Sequence, residues 1–307
     1  MTLPSPDSPI PVEPGLAVDD TTAAFTPTDW LLFASIAGIW GASFLFISVG
    51  LEALEPGVVT LLRVGLGALI LRLLPGARVR IEPRHRRRLV FVSALWVGVP
   101  FTLFPIAEQH INSAVTGLLN GAVPMFAASF AWLLYRRRTT GPQLAGVAIG
   151  FGGIVLISVP TLGEGSSSAW GVALVLVATA CYGLSGHVAL PLQQRYGSLV
   201  LMGRMLALAT MWTLPYGLVG LPDSRLELRP LLAVSVLGLV GTGLAFLIMG
   251  TLIGRVGSVR SAFITYLIPV VSLVLGVVFQ DDHVEPPALA GVALVVVGAA
   301  LAGRREA

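Results

Sequence analysis

The chain has 307 residues, 55% of them hydrophobic and only 11% charged, with a mean hydropathy of +0.86, against roughly 25% charged in an average soluble domain. A soluble fold of this length cannot hide that much apolar surface, so lipid is the expected solvent. The net charge of +3 and pI of about 9.5 do not call for nucleic acid, because the arginines fall between apolar stretches, and the single cysteine, Cys181, excludes an intramolecular disulfide and a Cys-based metal cluster.

Residues 1–29 contain six prolines, five acids and no Lys or Arg. They lack the positive start and short apolar core of a secretory signal and read as a disordered tail. Crossing about 30 Å of hydrocarbon takes about 20 helical residues. Ten segments approach that length: Trp30–Gly50, Pro56–Leu74, Leu89–Ala107, Ser113–Tyr135, Gln143–Val159, Trp170–Leu190, Ser198–Gly220, Leu231–Ile253, Ser258–Phe279 and Ala288–Ala302. The expectation is an all-α integral membrane protein with ten transmembrane helices. Residues 30–159 and 170–303 form its two five-helix units.

All 19 basic residues are arginine, and 14 of them fall in one alternating set of connections and at the C-terminus. That set includes the runs Arg84–Arg88 and Arg136–Arg138. Only Arg225 and Arg229 lie in the opposite set, beside acids such as Glu52, Glu55, Asp281 and Asp282. Positive charge stays inside, so both termini are expected on the cytoplasmic side of the plasma membrane.

Shifted by 145 positions, residues 112–156 lie on 257–301 without a gap, matching Ser113 to Ser258, Pro124 to Pro269 and Gly153 to Gly298. Upstream, with small shifts, Trp40-Gly41 meets Tyr182-Gly183, Ser43 meets Ser185, and Arg63 meets Arg204. With an odd number of spans per copy, the second must enter from the opposite face. Inverted repeats are an architecture of secondary transporters, whose site lies at the repeat interface. Small residues at four-residue spacing (Ser113, Gly117, Gly121; Gly146, Gly150) suit close helix packing. They read as packing within one chain and favour a monomer over a homodimer.

Arg63 and Arg204 are the leading functional candidates. Each lies six or seven positions into its span, roughly 10 Å deep. A buried arginine costs at least about 2.5–3.5 kcal/mol and therefore faces a wet cavity, a partner or a substrate. Snorkelling, or bonding to carbonyls at helix ends, is the structural alternative. No acid occupies the middle of a span, and Glu55 is the one within reach of Arg63. Arg260, three residues into its span, is expected to snorkel. Trp40, Ser43, Phe44, Tyr182, Ser185 and Tyr266 add aromatic and hydroxyl groups at mid-membrane depth. Asn120 and Thr265 precede Pro124 and Pro269 by one turn. A proline frees the carbonyl four residues back, making Asn120 a cavity candidate and the two prolines hinge candidates. His187, the one histidine within a span, is a candidate for proton coupling. Glu108 and His110 read as a solvated edge.

Several chemistries are missing. There is no Walker loop, HExxH or GxSxG. Ser185 and His187, two apart on a helix, face different ways and cannot share a proton. Asp281-Asp282-His283 reads as a solvated loop and not as a metal site. No cofactor, metal or enzymatic activity is expected.

Two five-span copies, a Trp-Gly in the first span, an Arg in the second and a Pro in the fourth resemble the drug/metabolite transporter superfamily, in its EamA-repeat branch. The likeness is clearest over Ser113–Leu156 and Ser258–Leu301. It implies export or exchange of small solutes, often amino acids, through a cavity between the first spans of each half. Trp40, Arg63, Tyr182 and Arg204 would lie near that cavity, with the fifth and tenth spans at the periphery. The small multidrug members use a mid-membrane glutamate that is missing here, which favours neutral or anionic cargo. The expected function is a carrier exporting or exchanging a small metabolite by alternating access. Multidrug efflux is the alternative, and a polytopic membrane enzyme is a more distant one. The expected partners are a small molecule and the bilayer.

Overall fold

The computed structural model describes residues 25–74, 76, 79–135, 141–162, 166–256, 261 and 264–302. The leader to residue 24, Arg136–Arg138, Arg260 and the expected start of the ninth span at Ser258 lie outside them. Every regular element among the described residues is helical. Seven helices are long and apolar enough to cross a bilayer, and three more, Leu144–Pro160, Ile264–Gln280 and Pro286–Gly298, are apolar but shorter.

Helix α1 (Pro27–Leu51) starts three residues before the expected span, inside the presumed tail. Thr26 and Asp29 form a capping box with Pro27 at the first helical position, which satisfies free N–H groups at the helix start. Asp29 also receives the Arg255 Nε–H at 2.5 Å. Helix α2 (Pro56–Leu73) follows a short turn.

The third span is not one helix. It divides into α3 (Arg86–Ser93), a π-helical turn over Ala94–Gly98 and α4 (Val99–Glu108). Pro100 has no N–H for the Trp96 carbonyl, and an extra residue in the turn absorbs the mismatch. The fourth span breaks as well, into α5 (Ser113–Asn120) and α6 (Val123–Tyr135). Pro124 leaves the Asn120 carbonyl without its helical donor. The chain tightens there, Gly121 and Ala122 donating to Leu118 and Leu119.

Helices α7 (Gly141–Leu162), α8 (Ser166–Tyr196) and α9 (Ser198–Gly220) follow. Helix α8 runs past the expected end at Leu190. Hydropathy marks where lipid ends, whereas the helix stops at Gly197, whose φ of 78° suits glycine. The eighth span repeats the pattern of the third: α10 (Leu228–Gly238), a π-helical turn over Leu239–Leu244 and α11 (Ala245–Val256). The two π-turns begin 145 residues apart, at Ala94 and Leu239. Helices α12 (Ile264–Gln280) and α13 (Pro286–Ala302) complete the chain.

Matching helices of the two halves pack on each other: α2 on α9, α5 on α12 and α7 on α13. All three pairs run antiparallel. Gly57 abuts Tyr216 while Gly65 abuts Thr210, Gly117 abuts Ser272 while Gly121 abuts Pro269, and Gly153 abuts Gly291 while Gly150 abuts Gly298. At all of these but Gly65, which has ordinary contact room, an added Cβ would collide with a neighbouring helix, so the glycines permit the close approach. Connections are stapled across the halves at two places. Arg225 N–H bonds the Ala53 carbonyl at 2.7 Å and Arg229 pairs with Glu52. Elsewhere Arg195 pairs with Glu82, holding that carboxyl below its ordinary range chiefly through the hydrogen bond. Large side chains such as Trp132, Leu133, Met211, Trp212 and Phe279 stand exposed, a belt that suits acyl chains and not water.

Candidate functional site

Arg63 is 6% exposed, deep between α2, α4 and the second π-turn. It gets there because Gly67 and Gly238 bring α2 and α10 close together, Gly238 facing the Arg63 carbonyl. Its Nε–H donates to Thr242 Oγ1 at 3.3 Å, and its guanidinium stacks on Phe101, 3.8 Å from the ring centroid. Stacking of this kind strengthens when desolvated. Thr242 is fully buried and donates to the Leu237 carbonyl, so the hydroxyl oxygen is left to accept from Arg63. On the other side, Thr60 Oγ1 lies 2.8 Å from the Pro56 carbonyl and 3.1 Å from the Phe101 carbonyl. Pro105 within α4 is the residue that leaves the Phe101 carbonyl without a helical donor.

An aromatic wall continues from Phe101. Phe104 meets Phe44 edge-on at 5.5 Å and Tyr182 at 5.9 Å, and Tyr182 lies within electrostatic reach of Arg63. Trp40 packs edge-on against Phe246 at 5.8 Å. The glycine after each repeat-matched aromatic has a physical reason. Gly41 lies against Val271 and the Ile268 carbonyl, and Gly183 lies against Phe126 and the Ala127 N–H. Each lets the first helix of one half touch the fourth helix of the other.

Not every expected residue joins this cluster. Arg204, half-buried, donates to the Val79 carbonyl at 3.0 Å, so it faces the segment before the third span and is separated from Arg63. Ser43 and Ser185 are buried and donate back to Ile39 and Tyr182 within their own helices. His187 Nε2 is 2.8 Å from the Ala127 carbonyl, an acceptor that fixes the proton on that nitrogen. Tyr266 is half-buried beside Pro269. Asn120 is 7% exposed, and its Oδ1 has no hydrogen-bond partner among the described residues. Cys181, half-buried and unpaired, directly precedes Tyr182.

The solvated edge expected at Glu108 is a correction. Both its carboxylate oxygens are buried without a hydrogen-bond partner among the described residues, and it lies within electrostatic reach of Arg63 and Asp282. The acid facing Arg63 is therefore Glu108. Glu55 instead meets the α9–α10 connection, its backbone N–H bonding Ser224 Oγ at 2.9 Å. Helix α4 persists to Glu108 and turns the side chain inward with Phe101 and Phe104, at i, i+3 and i+7 of one face. An acid closing an apolar stripe was the signal available in the sequence. A cleft of about 320 Å³ lies apart from this cluster, lined by Leu45, Phe46, Arg229 and Phe279.

The EamA-like transporter family matches the chain twice, over residues 28–159 and 169–304. The chain belongs to the EamA-like transporter family. The two matches together take in nearly the whole chain after the leader, and the family is one of transporters, not enzymes. Among similar proteins is a probable terminal-alkyne amino-acid exporter of Streptantibioticus cattleyicolor, 27% identical over 90% of this chain and 93% of that one. Another is a probable amino-acid metabolite efflux pump of Escherichia coli, 24% identical over 88% and 93%. A crystal structure 20% identical in sequence superposes with a TM-score of 0.61, covering 90% of this chain and 97% of the other. At that identity it speaks for the fold alone.

Proposed function

We propose that the protein is a secondary transporter of the plasma membrane that exports or exchanges amino acids or closely related metabolites by alternating access. Ten spans form two inverted five-helix units with both termini in the cytoplasm. The antiparallel packing of matched helices and the π-turns one repeat apart support the inversion. The names of the amino-acid exporter and efflux-pump relatives support the cargo class. Trp40, Phe44, Arg63, Asn120, Tyr182 and Tyr266 line the substrate path, with Pro124 and Pro269 as its hinges. Arg204 serves as a clasp on the segment before the third span.

The observation that carries this reading is Arg63. A guanidinium this deeply buried, held by one neutral hydroxyl and a ring, keeps N–H donors for a carboxylate. In proteoliposomes loaded with the twenty proteinogenic amino acids, the protein exchanges at least one of them with its labelled counterpart. Arg63→Ala, still monodisperse in detergent, loses at least about 30-fold of that flux, in line with removing one partner of a buried charge pair. Undiminished exchange in Arg63→Ala removes the arginine from the mechanism. Multidrug efflux draws some support from the buried Glu108 carboxylate. Resistance to lipophilic cations on expression, without amino-acid exchange, would favour it.

A further inference from the structure

We infer that Glu108 and Arg63 are the two ends of a zwitterion site, with Glu108 taking the free ammonium of an α-amino acid whose carboxylate rests on Arg63. This rests on the transport reading and names a specificity residue within it. Burying a carboxylate with neither oxygen hydrogen-bonded is costly unless a cation compensates it. Arg63 does not supply that contact. Among the described residues Arg63 makes no ion pair within 4.0 Å, though Glu108 lies within its electrostatic reach. They are neighbours held apart.

The spacing along α4 has the right scale. Phe101, under the guanidinium, and Glu108 are seven residues apart on α4, a rise of about 10 Å. An α-amino acid bridging a cation and an anion needs about 8–9 Å, two hydrogen-bond lengths plus its own N–Cα–C span. Phe104, between Phe101 and Glu108 on α4, meets Phe44 and Tyr182, rings suited to an apolar side chain. Asp282 adds negative potential on the Glu108 side. Its Oδ2 already accepts from Ser113 Oγ at 2.7 Å and the Ala114 N–H at 2.8 Å, capping α5, so Glu108 remains the carboxylate open to an ammonium.

The test measures binding to the full chain in nanodiscs by calorimetry. Its probes are the proteinogenic amino acid that exchanges fastest, the N-acetyl derivative of that amino acid and its decarboxylated amine. In the unaltered protein the free amino acid binds at least about tenfold more tightly than either analogue, the scale of one charged hydrogen bond. Glu108→Gln, which removes charge but little volume, weakens the amino acid by about the same factor and leaves the N-acetyl compound unchanged, so the preference collapses. Should Glu108→Gln not fold, Glu108→Asp keeps the preference with weaker binding. Three results overturn the assignment: an intact preference in Glu108→Gln, an amine bound as tightly as the amino acid, or a loss confined to pH-driven accumulation, which would make Glu108 a proton carrier. If flux still depends on Arg63 in those cases, the transport site stands and the Glu108 role alone fails. If no flux depends on Arg63, both fail.

Discussion

Pro105 offers no N–H to the Phe101 carbonyl, and Thr60, on a different helix, brings a hydroxyl within 3.1 Å of it, its one proton shared with the Pro56 carbonyl at 2.8 Å. Because Phe101 is the ring beneath Arg63, this repair also fixes the floor of the site. Thr60→Val keeps the shape and removes the proton, leaving a buried carbonyl unpaired at a cost of about 1–3 kcal/mol. The variant is expected to melt earlier in detergent and to bind cargo less tightly, whereas Thr60→Ser stays close to the unaltered protein. Equal melting of the valine and serine variants would mean the carbonyl finds another donor. At this scale the sequence was half legible. Arg63 stood out because an isolated charge in an apolar span is rare, but its neighbours come from four different helices. Glu108, next to Gln109 and His110, read as loop because its inward turn depends on how far α4 continues.

Helices here are shaped by where small residues permit approach and where prolines withhold donors. Gly183 sits so close to α6 that an added Cβ would fall 2.7 Å from the Ala127 N–H, backbone that cannot step aside. Gly183→Val should force α8 and α6 apart, costing about 1–3 kcal/mol or more by overpacking. It should also slow transport by moving Tyr182. Gly186→Ala, at a glycine with open space around it, is the control and should leave both melting and flux unchanged; a defect there would discredit the packing argument. Helix existence was readable from hydropathy because spans must be about 20 apolar residues long. Two internal breaks were not read. A π-turn leaves average hydropathy untouched, so the interruptions in the third and eighth spans register only through hydrogen bonds between backbone groups.

Taken whole, the proposed topology turns an odd number of spans per repeat into opposite orientations, and the arginine bias would then assign the sides. With Cys181 replaced by serine, a cysteine at Arg225 should react in intact cells with a membrane-impermeant maleimide, and one at Arg84 should react only after permeabilisation. Both positions are exposed. The reverse pattern would invert the topology. The repeat itself was legible because its strongest identities, such as Pro124 with Pro269 and Gly153 with Gly298, occupy places where chemistry leaves little choice: a missing donor, or two backbones in contact. The site was less so, since symmetry paired Arg63 with Arg204 while the fold sends one inward and the other to the Val79 carbonyl. Finally, the lone thiol of the chain, at residue 181, is half-buried on α8 one place before Tyr182. Covalent labelling of the unmodified chain therefore reports from a single position, and a change in its rate during transport would register motion of that helix.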